Sequence, residues 1–224
     1  MKKILLCLIA LTMSAVIEAQ TITNDKLDGL VSLGNGSWTK RAKEISENNP
    51  LNNGILRIVE IIPCEVEKEK AYERVRRWAV EEFGASAFSE EKEGFSFVGR
   101  LSNICHRSIG DNKYVFSIQP TLRFDFKDGK IRYIFTLRGY DVVKTTDDGG
   151  LIVMMGNIGV PTGGTSKKTQ TWSIGDCAPY SDNSKHAKVA SSKAYVYSIA
   201  CWRLILNRVK EVIYEKTNEI SDDW

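Results

Sequence analysis

The chain has 224 residues, of which 42% are hydrophobic, and a formal net charge of +3. That length carries one substantial core plus an appendage. Two of the three net charges match Lys2 and Lys3 at the N-terminus, so the charge balance gives no ground for a general polyanion-binding protein.

The first residues read as an export signal. Met1-Lys2-Lys3 is the basic region, Ile4 to Ile17 the apolar region, and cleavage is expected after Ala19. The apolar stretch is too short to span a bilayer comfortably. Cys7 lies within it rather than just after it, so a lipid-modified mature N-terminus is not expected. A signal peptide over 1–19 places the mature chain in the periplasm or at the cell surface, without a transmembrane helix. Residues 20–53 are expected to form a mobile polar leader with loop chemistry at Asn48-Asn49-Pro50 and Asn52-Asn53-Gly54, and with one short helix near Trp38 to Ser46.

The β-branched run Ile55 to Ile62, stopped by Pro63, predicts a strand covered on one or both faces. From Glu67 to Phe83 the residues Ala71, Tyr72, Val75, Trp78, Ala79 and Phe83 recur at helical spacing, charged residues fill the opposite face, and Gly84 offers a C-cap. Ala85 to Glu91 and Phe95 to Ile104 predict two shorter strands around Lys92-Glu93-Gly94.

The strongest local signal is the hairpin Lys113 to Val143. Asp128-Gly129 between alternating runs predicts a type I′ turn, which pairs Phe126 with Ile131, Phe124 with Tyr133, Leu122 with Phe135 and Pro120 with Leu137 on an apolar surface. The polar surface then pairs Asp125 with Arg132, Thr121 with Thr136, Gln119 with Arg138 and Ser117 with Tyr140, contacts that contribute roughly 0.2–1 kcal/mol each. Pro120 cannot donate to a ladder and predicts a bulge or an unpaired position. Strand, helix and four further strands with short connections predict an α+β domain with an antiparallel curved sheet and the helix on its apolar face.

The helix Ala71-Tyr72-Glu73-Arg74-Val75-Arg76-Arg77-Trp78, the strand segment Val98-Gly99-Arg100 and the turn Asp128-Gly129-Lys130-Ile131-Arg132-Tyr133 resemble a family of exported bacterial domains of unknown function, with a fold like one half of the TATA-binding protein (TBP-like). The resemblance covers roughly 55–145. It implies a fold and a secreted setting for a domain over 54–145, and no catalytic residue. The long irregular stretch after Val143 departs from that family's pattern.

That stretch, a Gly-rich insertion over 146–188, carries Asp147-Asp148-Gly149-Gly150, Gly163-Gly164 and an apolar island at Leu151 to Met155. A loop of such length binds something, folds on itself or is disordered. The expected arrangement is a hairpin of Leu151 to Met155 against Thr169 to Ile174. A final helix within 189–217, about Ser191 to Glu215, repeats Tyr195, Ile199, Trp202, Leu206, Val209 and Ile213 along one seam and packs on the same face of the sheet, before a tail at 218–224.

Catalytic and cofactor motifs do not assemble. Gly159 to Thr169 lacks the Gly-Lys-Ser/Thr offset and the following helix of a phosphate loop. Ser37-Trp38-Thr39-Lys40 with Ser181-Asp182-Asn183 lacks the third element of the serine β-lactamase set. Cys105-His106 is one adjacent pair with no second half, and Asp147-Asp148 lacks the spacing of a calcium loop, so neither metal nor cofactor is expected. Cys64, Cys105, Cys177 and Cys201 allow three pairings in an oxidising compartment, and small buried thiols with at most one bridge explain them as well.

The candidate binding surface is the polar side of the sheet, where Arg123, Arg132, Arg138 and Tyr140 would stand together, since Arg and Tyr favour anchoring a partner. The expected function is therefore a non-enzymatic exported binding or interaction domain for a protein, glycan or cell-envelope component. Near-neutral charge, export and Asp125 beside Arg132 argue against nucleic acid. The alternatives are an envelope hydrolase using Cys177, His186 or Asp147 between the insertion and the sheet, and a structural protein self-associating through the last helix.

Overall fold

The computed structural model describes residues 24–31, 33, 36–85, 87–147, 152–155, 158–161, 165–177 and 184–214. The expected signal peptide and the 218–224 tail lie outside these residues. Helices α1 (Asn24–Leu30) and α2 (Trp38–Asn48) precede strand β1 (Leu56–Pro63) and helix α3 (Lys68–Phe83). Then come β2 (Ser89–Glu91), β3 (Gly94–Val98), β4 (Leu101–Ile109), β5 (Asn112–Ile118), β6 (Thr121–Lys127), β7 (Lys130–Leu137) and β8 (Gly139–Asp147). β9 (Ile152–Met155), β10 (Ile158–Pro161), β11 (Thr165–Ser173), the short α4 (Ile174–Cys177) and the 27-residue α5 (Lys188–Tyr214) complete the order.

The architecture is α+β with antiparallel sheets and a long C-terminal helix. The expected ribbon forms, but it changes sheets. One sheet runs β1-β7-β6-β3-β2 and another runs β11-β8-β5-β4. Three adjacent connections cross between them, β3 to β4 at Gly99-Arg100, β5 to β6 at Gln119-Pro120, and β7 to β8 at Arg138. The single curved surface read from the sequence is thus creased along one line. The cause is local: Pro120 has no N–H to give the ladder, and its carbonyl instead accepts from Gly99 N at 2.9 Å across the crease.

Below the crease the expected register holds, with Phe126 opposite Ile131, Phe124 opposite Tyr133, Leu122 opposite Phe135, Asp125 opposite Arg132 and Thr121 opposite Thr136. Above it the register moves by one. Ser117 pairs with Asp141 and Ile118 with Tyr140, rather than Ser117 with Tyr140, because Arg138 is an extra residue outside both ladders. A one-residue slip exchanges the two faces of a strand. The turn also differs: of its two central residues only Gly129 takes a positive φ (76°), so it is not type I′, although the two-residue length preserves the register.

The sheets turn their aromatic rows inward. α3 lies against β6, and α5 lies against α3, β4 and β5. α3 buries Ala71, Val75, Trp78 and Ala79 and ends at Gly84 in the left-handed conformation (φ 59°), as its spacing predicts. α5 buries Tyr195, Ile199, Leu206, Val209 and Ile213 of its expected seam, while Trp202 is half-buried. It also buries Ala194, Ser198 and Cys201, because β4, α2 and the sheet enclose its first half from several sides.

Two readings of the flanking segments change. The polar leader is not loose over its described part. Leu27 and Ala42 are buried, Ser37 caps α2 by accepting from Lys40 N at 3.2 Å, Tyr195 donates to Asn49 O at 3.0 Å, and Tyr197 donates to Asp28. The expected hairpin of 151–155 against 169–174 is also not formed. β9 pairs with β10, and β11 extends the second sheet along β8 from Thr165↔Asp147 to Ser173↔Gly139. Thr169, Thr171 and Ser173 recur at every second position and suit an exposed edge, and Lys167 and Lys168 discourage further pairing there.

Candidate binding face

The side of the first sheet away from the helices presents a grid set by the ladders. One row runs Ile61, Arg132, Asp125 and Gly94. The next runs Val59, Ile134, Arg123 and Ser96, and a third runs Arg57, Thr136, Thr121 and Val98. None of these outward residues is aromatic. Val59, Ile61 and Val98 are exposed by 44%, 51% and 60%, which is unusual on a solvated sheet face where polar residues normally alternate outward. Ile134 is buried among its outward neighbours and is not part of the main core.

At the centre lies Asp125, 3% exposed, held between two guanidinium groups. Arg132 donates through Nε at 2.8 Å to Oδ2 and pairs with that oxygen through Nη2 at 2.8 Å; Arg123 donates through Nε at 2.9 Å to Oδ1. Arg123 also pairs with Glu91 at 3.3 Å. Such a carboxylate fixes two long side chains that would otherwise sample many rotamers. A shallow depression of about 180 Å³, lined by Ile61, Asp125, Lys127, Lys130 and Arg132, lies beside it.

Of the four residues expected on this face, Arg123 and Arg132 are brought together. Arg138 is exposed at the crease, where its carbonyl accepts from Ile174 N at 2.9 Å. Tyr140 is fully buried, its hydroxyl facing Cys177, Ser198 and Tyr195, and burial raises its pKa. The extra residue at the crease turned it inward. In the sequence Asp125 is a cross-strand partner of Arg132, and its role as the anchor is legible only in the i, i+2 relation to Arg123. Ile61 and Val59 gave no signal, since a β-branched run looks the same whether its faces are covered or bare.

A second concavity of about 610 Å³ lies between the outer side of α3 and the β2–β3 turn. Tyr72 donates to Glu90 at 2.8 Å and Arg76 pairs with Glu90 at 3.5 Å, which ties helix to strand. Burial and the Glu90 carboxylate raise the Tyr72 pKa.

Among the described residues no hydrogen bond or ion pair joins Cys177, His186 and Asp147 to one another. Cys177 is buried, and burial pushes its thiol up to about 12, which leaves almost no thiolate at neutral pH. Cys105 is likewise pushed up to about 12, and all four of Cys64, Cys105, Cys177 and Cys201 are free and buried. His186 stacks on Trp172 with ring centroids 4.2 Å apart and planes 3° apart. Asp147 sits at the end of β8, paired with Thr165. Among the described residues no group of three or more His, Cys, Asp and Glu is gathered as a metal site, and no helix is long and apolar enough to cross a membrane.

The His186 stack has a pH consequence. Burial lowers its pKa below 6.5, while Asp176 opposes and Lys185 assists that shift. The unfolded chain therefore takes up this proton first as pH falls, so the stabilisation is complete above about 6.5 and is lost as pH falls toward the folded-state value. Urea midpoints are expected to fall further between pH 7.5 and 5.5 for the native chain than for His186→Gln. Equal falls would refute this.

The fold thus defines an α+β antiparallel protein with long-helix packing on one side and an arginine-bearing sheet face on the other. No protein-family model matches the chain, and no curated protein matches it. Among solved structures it is similar to a TBP-like protein from Parabacteroides distasonis, with a TM-score of 0.46 and 15% identity over 75% of this chain and 97% of that one.

Proposed function

We propose that this protein is an exported, non-enzymatic interaction domain whose working surface is the outer face of the five-stranded sheet. The observation that carries the reading is the combination of exposed Val59, Ile61 and Val98 with Arg123 and Arg132 held in place by a buried Asp125. Exposed apolar area rimmed by fixed charges is what partner surfaces present before binding, and side chains already ordered lose less entropy when a partner arrives. The buried, protonated Cys177 and the stacked His186 favour binding over catalysis. The basic and apolar N-terminal stretch supports an exported setting, in the periplasm or at the cell surface.

The test is capture from cell-envelope extract with the native chain and with Ile61→Asp combined with Val98→Asp, both at exposed positions. The expected result is that specific partners recovered by the native chain are lost by the variant while its unfolding midpoint is retained. An unchanged set of partners would show that this face is not the working surface.

A further inference from the structure

We infer that the partner on this face is an extended polypeptide segment in which carboxylate and aliphatic side chains take turns along one side, at every second residue. This inference rests on the reading that the outer sheet face is the working surface.

The first argument is what the two arginines have left to give. A guanidinium has five N–H donors in a fixed fork. Asp125 engages Nε and Nη2 of Arg132 and Nε of Arg123, and Glu91 engages Nη1 of Arg123. Among the described residues neither guanidinium has a partner beyond Asp125 and Glu91, which leaves N–H donors of both forks for an incoming group. Both groups are partly open, with side chains 49% and 37% exposed. Positioned N–H donors of this kind match a carboxylate. Arg57 and Lys130, on the same side of the sheet, carry no ion pair among the described residues and leave the face with a positive balance.

The second argument is spacing. Ile61 lies directly opposite Arg132, and Val59 lies opposite Ile134, which is itself opposite Arg123. Ile61 and Arg132 therefore adjoin at a cross-strand distance of about 5 Å, and Ile134, in the same strand as Arg132, adjoins Arg123 in β6. Side chains on one side of an extended chain recur every two residues, about 6.6–6.8 Å apart, the interval that separates Ile61 from Val59 along β1 and Arg132 from Ile134 along β7. An aliphatic residue and a carboxylate two residues apart can therefore reach an apolar group and a guanidinium of the face together.

The third argument is what the face lacks. Sugars and unpaired bases are recognised largely by stacking on aromatic rings, whereas Phe95, Phe97, Phe124, Phe126 and Tyr133 all point inward and Tyr140 is buried. A polyphosphate backbone would also meet the carboxylates of Asp125 and Glu91 while leaving Ile61 and Val98 bare.

The test is fluorescence anisotropy on the full chain at low salt. The probe is a labelled peptide, acetyl-Val-Ser-Asp-Ser-Val-Ser-Asp-amide, whose Val and Asp side chains share one side when it is extended. Parallel arms use the same peptide with Lys for Asp, phosphatidylglycerol vesicles, a heparin oligosaccharide and duplex DNA. The acidic peptide is expected to bind and the lysine peptide not to bind. Arg123→Lys combined with Arg132→Lys keeps the charge and removes the forks, and is expected to weaken acidic-peptide binding at least tenfold. Those substitutions alter the partners of a buried carboxylate, so Ile61→Asp provides the second variant, at a site with no such partner, with a similar loss expected. If vesicles, heparin or DNA bind in an Ile61-dependent manner and the peptide does not, the partner class is wrong and the face reading stands. If no probe responds to either variant, both fail.

Discussion

Gly94→Ala is expected to cost about 3 kcal/mol or more of folding stability, although alanine by itself is favoured over glycine in a strand by roughly 0.5–1 kcal/mol. A Cβ at this position would lie 1.8 Å from the Phe124 carbonyl oxygen and 2.8 Å from Asp125 Cα. Those are backbone atoms, so no rotamer change relieves the overlap. β3 would have to move away from β6, breaking the ladder from Gly94↔Asp125 to Val98↔Thr121 and the 2.7 Å bond from Phe126 N to Glu93 O. The same movement would uncover Asp125. Gly29→Ala in α1 meets nothing within 4 Å and serves as the control, with a change of up to about 1 kcal/mol in the stabilising direction. Urea midpoints measure both, and a Gly94→Ala protein as stable as the parent would refute the close approach of the two strands.

Phe124→Ala is expected to cost about 3–5 kcal/mol, the range for deleting a buried ring and leaving a cavity. Phe124 is fully buried and stacks on Tyr133 with centroids 5.1 Å apart and planes 9° apart. It also meets Phe95 at 5.7 Å, Phe97 at 6.5 Å and Trp78 at 6.4 Å, so it joins three strands to α3. A single domain is stable by about 5–15 kcal/mol in total, which makes this one substitution a large share of the whole. Phe124→Leu keeps much of the volume and is expected to cost less. A loss below about 1.5 kcal/mol for the alanine variant would mean that the ring does not hold these elements together. Neither substitution touches an outward residue, so a destabilised but folded Phe124→Leu protein is expected to retain the binding face.

The elements that were legible in the sequence are those whose information is local. Ala71, Val75, Trp78 and Ala79 at helical spacing with Gly84 behind them specify α3 whatever surrounds it. A two-residue loop at Asp128-Gly129 between alternating runs fixes which residues of β6 and β7 face each other, and hence that Arg132 meets Asp125. Pro120 announced an interruption. Its size was not legible, because the crease needs Gly99, in the connection from β3 to β4, to supply the N–H that closes it.

The candidate face shows the same division. Sequence by itself determined that Arg123, Asp125 and Arg132 share one side of a hairpin, because alternation and turn length leave no other register with the aromatic row inside. Only the tertiary structure decided that Tyr140 leaves that side, that β11 joins β8 instead of folding on β9, and that Ile61 stays bare beside Arg132. Each depends on what packs against a strand from elsewhere in the chain. A β-branched residue reads identically under a helix or in water, and one extra residue between ladders reverses every face beyond it.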